Sequence, residues 1–130
     1  MKLGDTILYV ESVEQTLAFH ERASGLNRGR VTVALEYGEV QTGDTKLAFA
    51  ASSFVKAPTS LPFTAASPAE AAPPMELGLV TGTVEQDCER GLAAGAVLVK
   101  QAERKPWGQR LGCLRGNKGL LAERCAPIAG

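Results

Sequence analysis

Glu123 is the residue whose setting most needs a chemical explanation. It lies in Leu120-Leu121-Ala122-Glu123-Arg124-Cys125. Strand alternation puts Leu121, Glu123 and Cys125 on one face and Ala122 and Arg124 on the other. A carboxylate on a semi-enclosed apolar face needs a cation, a hydrogen-bond donor or a raised pKa. Arg110, on the preceding strand-like segment, is the candidate partner. Trp107 stands between Pro106 and Gly108, where a loop enters a strand. A planar ring there either stacks a flat ligand or seals one end of the core. Tyr9 and Tyr37 lie on strand-like segments and offer phenols to a ligand, although half-buried strand tyrosines are common.

Other chemistries find little support. The chain has one histidine, so a nucleophilic triad would need His20 beside an activated Ser or Cys, and nothing in the spacing brings them together. His20 falls inside a helical pattern, where a packed imidazole is the simpler expectation. Cys88, Cys113 and Cys125 are odd in number and lack metal-ligand spacing, which predicts buried, reduced thiols. No phosphate-binding glycine loop is present. The Gly-rich stretch from Arg115 to Gly119 reads as a hairpin turn.

The elements that must carry these residues come in two sets. Ile7-Leu8-Tyr9-Val10 reads as a strand. Ser12 with Gln15 forms a capping box, and the helix that follows stops at Gly25. The same order returns with Leu77-Gly78-Leu79-Val80, Thr83 with Gln86, and Gly95. The two capping residues are 71 positions apart, as are Asp5 and Glu76. Strand-like segments complete each half. In the first they are Val31 to Tyr37, Glu39 to Thr42 and Lys46 to Ala50, with turns at Gly38 and Gly43-Asp44. In the second they are Val97 to Lys100, Gln109 to Leu114 and Leu120 to Cys125. Each half is a βαβββ unit, and the chain reads as an internal duplication. Between the halves, residues 51–74 are rich in Ala, Ser and Pro and show no compelling regular element. Phe54, Leu61 and Phe63 predict that this stretch folds back on something apolar, either as a lid or as a plain linker.

The whole-chain totals narrow the partners. The 130 residues suit one domain, with module one over 1–50, the connecting loop over 51–74 and module two over 75–130. The sequence is 45% hydrophobic and 22% charged, a globular composition. Fourteen basic and fourteen acidic residues give zero formal charge. That offers no footprint for nucleic acid or an anionic membrane, and little repulsion against a homodimer. Met1 to Asp5 shows no apolar signal core, and no apolar run is long enough to span a bilayer, so a cytoplasmic location is expected.

Paired βαβββ modules carrying these blocks resemble the vicinal oxygen chelate superfamily, which holds glyoxalase I, bleomycin-resistance proteins and extradiol dioxygenases. The likeness rests on Thr6 to Val10, Ala18-Phe19-His20-Glu21-Arg22 with Gly25-Leu26, and Thr42-Gly43-Asp44 with Leu47 to Ala50. It continues through Ala93-Ala94-Gly95-Ala96, Lys105 to Arg110 and Gly119 to Glu123. The resemblance implies an α+β fold, two βαβββ modules forming a U-shaped mixed sheet around a cleft, often completed by dimerisation. It also implies four ligand positions for a divalent ion. Three fall at Asp5, Glu76 and Glu123. The fourth falls at Ala48, or Phe49 one residue on, and neither side chain can bind a metal. The turn often written Asp-Pro-Asp-Gly in that family is here Gly116-Asn117-Lys118-Gly119.

Two functions follow. One is a metal-free, small-molecule binding protein of the bleomycin-resistance type, with Trp107, Arg110, Tyr9 and Tyr37 as ligand-binding residues. The other is a lyase or dioxygenase that uses a divalent ion on Asp5, Glu76 and Glu123, with Glu123 as its catalytic carboxylate. All-oxygen ligation of that kind suits Mg²⁺, Ca²⁺ or Mn²⁺.

Overall fold

The computed structural model describes residues 1–59 and 62–128. It divides into two compact units, one of residues 1–21 and 25–65, the other of residues 22–24 and 66–130. Each unit contains one four-stranded mixed sheet. Among the described residues no helix is long and apolar enough to cross a membrane.

In the first unit the sheet order is β1 (Asp5–Val10), β4 (Lys46–Ala51), β3 (Tyr37–Val40), β2 (Arg28–Val31). β1 and β4 run parallel, and β3 is antiparallel to both of its neighbours. The parallel pair needs a crossover, and α1 (Val13–Ser24) begins it. Ser12 caps α1 through its Oγ, which accepts from the Gln15 N–H at 3.2 Å, and Gly25 ends it at φ 65°. Leu8, Val10, Val13, Leu17, Leu47 and Phe49 are buried in this unit.

His20 is 6% exposed and stacks on Phe49 with 5.1 Å between ring centroids, so it is a packed core histidine. Gly38, expected at a turn, lies inside β3. An added Cβ there would sit 2.7 Å from Leu17 Cδ1, so the glycine lets α1 approach the sheet. The strand expected from Val31 to Tyr37 is instead a turn between β2 and β3. Thr32 Oγ1 accepts from the backbone N–H groups of Glu36 and Tyr37, each at 3.2 Å, which closes that turn.

The stretch expected to lack regular structure opens with a helix, α2 (Ser52–Thr59). Phe63 packs against Tyr9 at 5.0 Å between centroids, and Lys56 Nζ lies 4.5 Å over the Phe63 ring. Phe54 is half exposed, and Leu61 falls outside the described residues.

The second unit repeats the order with β5 (Glu76–Val80), β8 (Leu121–Cys125), β7 (Arg110–Arg115) and β6 (Val97–Arg104). Its helix is α3 (Val84–Ala93), which buries Val84, Cys88 and Gly91. Gly112 gives this helix room, since a Cβ there would lie 2.9 Å from Cys88 Sγ. Thr83 precedes α3 but makes no side-chain cap. Its hydroxyl donates to Asp87 Oδ2 at 2.8 Å instead, so the expected second capping box is absent. Asp87 in the first turn competes for the hydroxyl.

Two hairpins of this unit share one loop design, at Lys105–Gln109 and Gly116–Leu120. Each has a tight turn followed by a left-handed glycine, Gly108 at φ 91° and Gly119 at φ 86°. Gly119 also faces Ser67, whose carbonyl carbon would lie 2.6 Å from an added Cβ. Arg115 fixes this contact by donating to the carbonyls of Gly119, Ser67 and Glu70.

Candidate functional site: a carboxyl pair beneath Trp107

Strand register builds the floor of the site. In the parallel β5–β8 pair, Glu76 stands opposite Leu121 and Gly78 opposite Glu123. Both carboxylates therefore project from the same face of the sheet. Gly78 has no side chain between them, and a Cβ there would lie 3.6 Å from Glu123 Oε1. The gap leaves the Glu123 carboxyl open toward Glu76, and both line the same concavity. Antiparallel pairing with β7 places Cys113 opposite Glu123.

These neighbours set the protonation of Glu123. Burial pushes its pKa above the ordinary glutamate value, and the charge and hydrogen bond of Glu76 push it the same way. Lys105 and Cys125 oppose the shift. Two carboxyls in contact retain a proton more readily than one alone. The thiols of Cys113 and Cys125 are also pushed up, first by burial and then by these carboxylates. Both are held as neutral thiols, which makes them poor nucleophiles and poor metal ligands.

The wall is the Lys105–Gln109 hairpin. Trp107 Nε1 donates to Gln109 Oε1 at 3.0 Å, and Gln109 Nε2 donates to the Ala126 carbonyl at 2.7 Å. The indole edge is tied down while the side chain remains 62% exposed. Lys105 Nζ lies 2.5 Å from Glu103 Oε1. Lys105, Trp107 and Gln109, with Val99, Lys100, Leu111 and Leu121, line a concavity of about 460 Å³. Glu76, Glu123 and Trp107, all singled out in the sequence, thus meet on one surface. Lys105, Gln109 and Cys113 join them without having been singled out. Alternation from Leu111 would have placed Cys113 there, and the Pro-Trp-Gly turn would have brought in its two flanks.

Arg110 is elsewhere. It points to the helix face, where its Nε pairs with Glu85 Oε1, and so it is not the partner of Glu123. The register explains this, since Leu111 and Cys113 occupy the concave face and Arg110, as their neighbour, must face away. Arg110 lines a second concavity of about 480 Å³ with Glu85, Cys88, Leu92 and Leu98.

The remaining candidates belong to the first unit. Asp5 is exposed at the start of β1, opposite Lys46. The Tyr9 ring is covered on one side by Phe63. Tyr37 donates through its hydroxyl to Glu39 Oε2 at 2.8 Å, and Lys46 Nζ lies 3.6 Å from the same oxygen. Burial, with the added effect of Glu39, pushes the Tyr37 phenol up to about 12. The Tyr37 hydrogen bond, aided by Lys46, holds Glu39 below the usual carboxylate range. Glu39 was expected at the start of a strand, after a turn at Gly38; it lies instead inside β3 and is buried. Glu39 stands opposite Ala48 as Cys113 stands opposite Glu123, so Ala48 occupies the place of Glu123 in the first sheet.

The donor set does not fit a resident divalent ion. Among the described residues no three His, Cys, Asp or Glu side chains gather to hold one. The concave face of the second sheet offers two carboxyl groups, Glu76 and Glu123, and Ala48 offers no donor.

Neither a protein-family model nor a curated protein matches the sequence. Solved structures do match its fold. A glyoxalase-related enzyme from Fulvimarina pelagi superposes with a TM-score of 0.82 at 18% identity, covering 98% of this chain and 88% of that one. A glyoxalase/bleomycin resistance protein/dioxygenase from Nocardioides gives 0.78 at 16% identity, with coverage of 100% and 85%. Lactoylglutathione lyase from Agrobacterium tumefaciens gives 0.71 at 16% identity, with coverage of 98% and 94%. The duplicated βαβββ units and these superpositions together identify the fold of this chain as that of the glyoxalase/bleomycin resistance protein/dioxygenase structures.

Proposed function

We propose that the protein binds an organic small molecule, in the manner of the bleomycin-resistance type, and does so without a metal ion. The observation that carries this is the concavity over β5, β8 and β7, with a tethered, exposed Trp107 at its rim and a carboxyl pair on its floor. A pocket of a few hundred Å³ with an apolar lining and a few convergent polar groups is the ordinary form of a small-molecule site. Trp107 is the sole tryptophan of the chain, so its emission reports on this site directly. Titration with flat aromatic compounds should change that emission, and Trp107→Ala should weaken binding by roughly 1 kcal/mol or more. Binding untouched by Trp107→Ala would place the ligand elsewhere.

The alternative proposal is a divalent-metal lyase or dioxygenase that uses the Glu76 and Glu123 carboxylates. It requires donors beyond the two carboxyls on the second sheet. Absence of binding to Mg²⁺, Mn²⁺, Ni²⁺, Zn²⁺ or Fe²⁺ by calorimetry would remove it. In keeping with the neutral surface charge, the protein is taken to act as a cytoplasmic homodimer, and a monomer mass by light scattering at micromolar concentration would count against that.

A further inference from the structure

We infer that Gln109 is a positioning residue of the Trp107 concavity: it fixes the indole in the orientation that receives a flat ligand, and it sets affinity through Trp107 rather than through a bond of its own to the ligand. The inference rests on the binding function proposed above and names a residue that controls it.

The turn holds the backbone of Trp107 and leaves its ring to Gln109. The Lys105 N–H donates to the Gln109 carbonyl and the Gly108 N–H to the Lys105 carbonyl, each at 2.8 Å. These bonds and the left-handed Gly108 fix the chain on both sides of Trp107. They do not restrict the two side-chain torsions of the indole. A core tryptophan is locked by packing, but this side chain is 62% exposed. The bond from its single donor, Nε1, to Gln109 Oε1 at 3.0 Å therefore sets the direction of the ring.

The other end of the Gln109 amide is anchored. Nε2 donates to the Ala126 carbonyl at 2.7 Å, and the Ala126 N–H donates to the Arg110 carbonyl at 2.8 Å. Pro127 biases Ala126 toward extended backbone, which keeps that carbonyl in place. An indole N–H only donates and a backbone carbonyl only accepts, so a bridge between them needs an acceptor and a donor on one side chain. The amide supplies both, and its two partners fix which end is the oxygen. Among the described residues that line the concavity, Trp107 is the only aromatic one, so its orientation is what a flat ring meets. A free indole gives up its rotamers when a ring stacks on it, whereas an indole already held loses little.

The test is a double-mutant cycle on the full chain, with Trp107→Phe, Gln109→Leu and the two combined. Naphthylmethanol, naphthylmethylamine and naphthoic acid are the flat probes, and calorimetry with the tightest of them measures affinity. Phenylalanine keeps a ring at the rim but has no N–H for Gln109 to hold. Gln109→Leu should weaken binding roughly three- to tenfold, the worth of ordering one side chain on binding. In the Trp107→Phe chain the same change should leave affinity within about twofold. The time-resolved anisotropy of Trp107, read without probe, should gain a fast component in Gln109→Leu, and urea midpoints report any loss of fold separately. Gln109→Met, similar in length and without the amide, should behave as Gln109→Leu does. An anisotropy decay unchanged in both variants, or an equal loss of affinity in the Trp107 and Trp107→Phe chains, would overturn the positioning role and leave the binding function standing. No binding of any of the three probes to the unaltered chain would overturn both.

Discussion

At the scale of single residues, two glutamates show how neighbours set opposite behaviour in one residue type. Glu123 holds its proton to higher pH in the folded chain than its ordinary value of 4.5. The folded state then binds more protons than the unfolded state across that window, so stability falls as pH rises through it. The contribution is fully present below the ordinary value. Urea midpoints measured against pH should show this decline, and Glu123→Gln should flatten it and raise the midpoint at neutral pH. Glu39 has the reverse sign. Its pKa is lowered by Tyr37 and Lys46, so its contribution is present above the ordinary value and is lost as pH falls. Tyr37→Phe removes one hydrogen bond to a charged acceptor and should cost about 1.5 kcal/mol at neutral pH, with the loss shrinking in acid. Glu123 was legible in the sequence because a carboxylate among Leu121, Ala122 and Cys125 violates the local pattern. Glu39 was not, because the expected strand began at Glu39 after a turn at Gly38, whereas β3 begins at Tyr37 and carries Glu39 in its interior. Arg110 was misplaced by treating adjacency of strands as adjacency of side chains, where a one-residue step changes the face.

At the scale of elements, caps and glycines carry the next predictions. Ser12 accepts from a helix N–H and Thr83 does not. Ser12→Ala should therefore cost about 1 kcal/mol in a urea titration, and Thr83→Ala distinctly less. Both positions have the same sequence signature, so only the hydroxyl geometry separates them. Gly119 and Gly43 both have positive φ, but an added Cβ at Gly43 meets open space while one at Gly119 meets the Ser67 backbone. Gly43→Ala should cost roughly 1 kcal/mol of backbone strain, and Gly119→Ala distinctly more because the Ser67–Glu70 segment must move as well. Equal costs would show that this segment is not packed on the turn. The first strand of each half, and the helix stop at Gly25, were readable from period and cap chemistry. α2 was not, because its Ser-Ser-Phe-Val-Lys-Ala-Pro-Thr sequence lacks strong helix formers and contains a proline. The β2–β3 turn was not either, because Val31, Val33 and Leu35 alternate like a strand. The Thr32 hydroxyl and the left-handed Leu35 at φ 57° decide against it.

At the scale of the whole molecule, duplication explains both what the chain keeps and what it lacks. The 71-residue offset read from the sequence matches Asp5 with Glu76, and both begin the first strand of their sheets. The two copies diverge at the next position, where one holds Ala48 and the other Glu123. The scaffold is thus repeated while its polar centre is not, and the remaining carboxyls line one concavity with a tryptophan. The central claim is that this surface captures a small molecule with no metal present. The most direct measurement is elemental analysis of protein purified without chelator, followed by titration of the chelator-treated protein with flat aromatic probes, read by Trp107 emission. The expected result is no stoichiometric divalent ion and a saturable emission change that Trp107→Ala abolishes. A stoichiometric ion that is lost on Glu123→Ala, or binding that returns only when a divalent ion is added back, would contradict it.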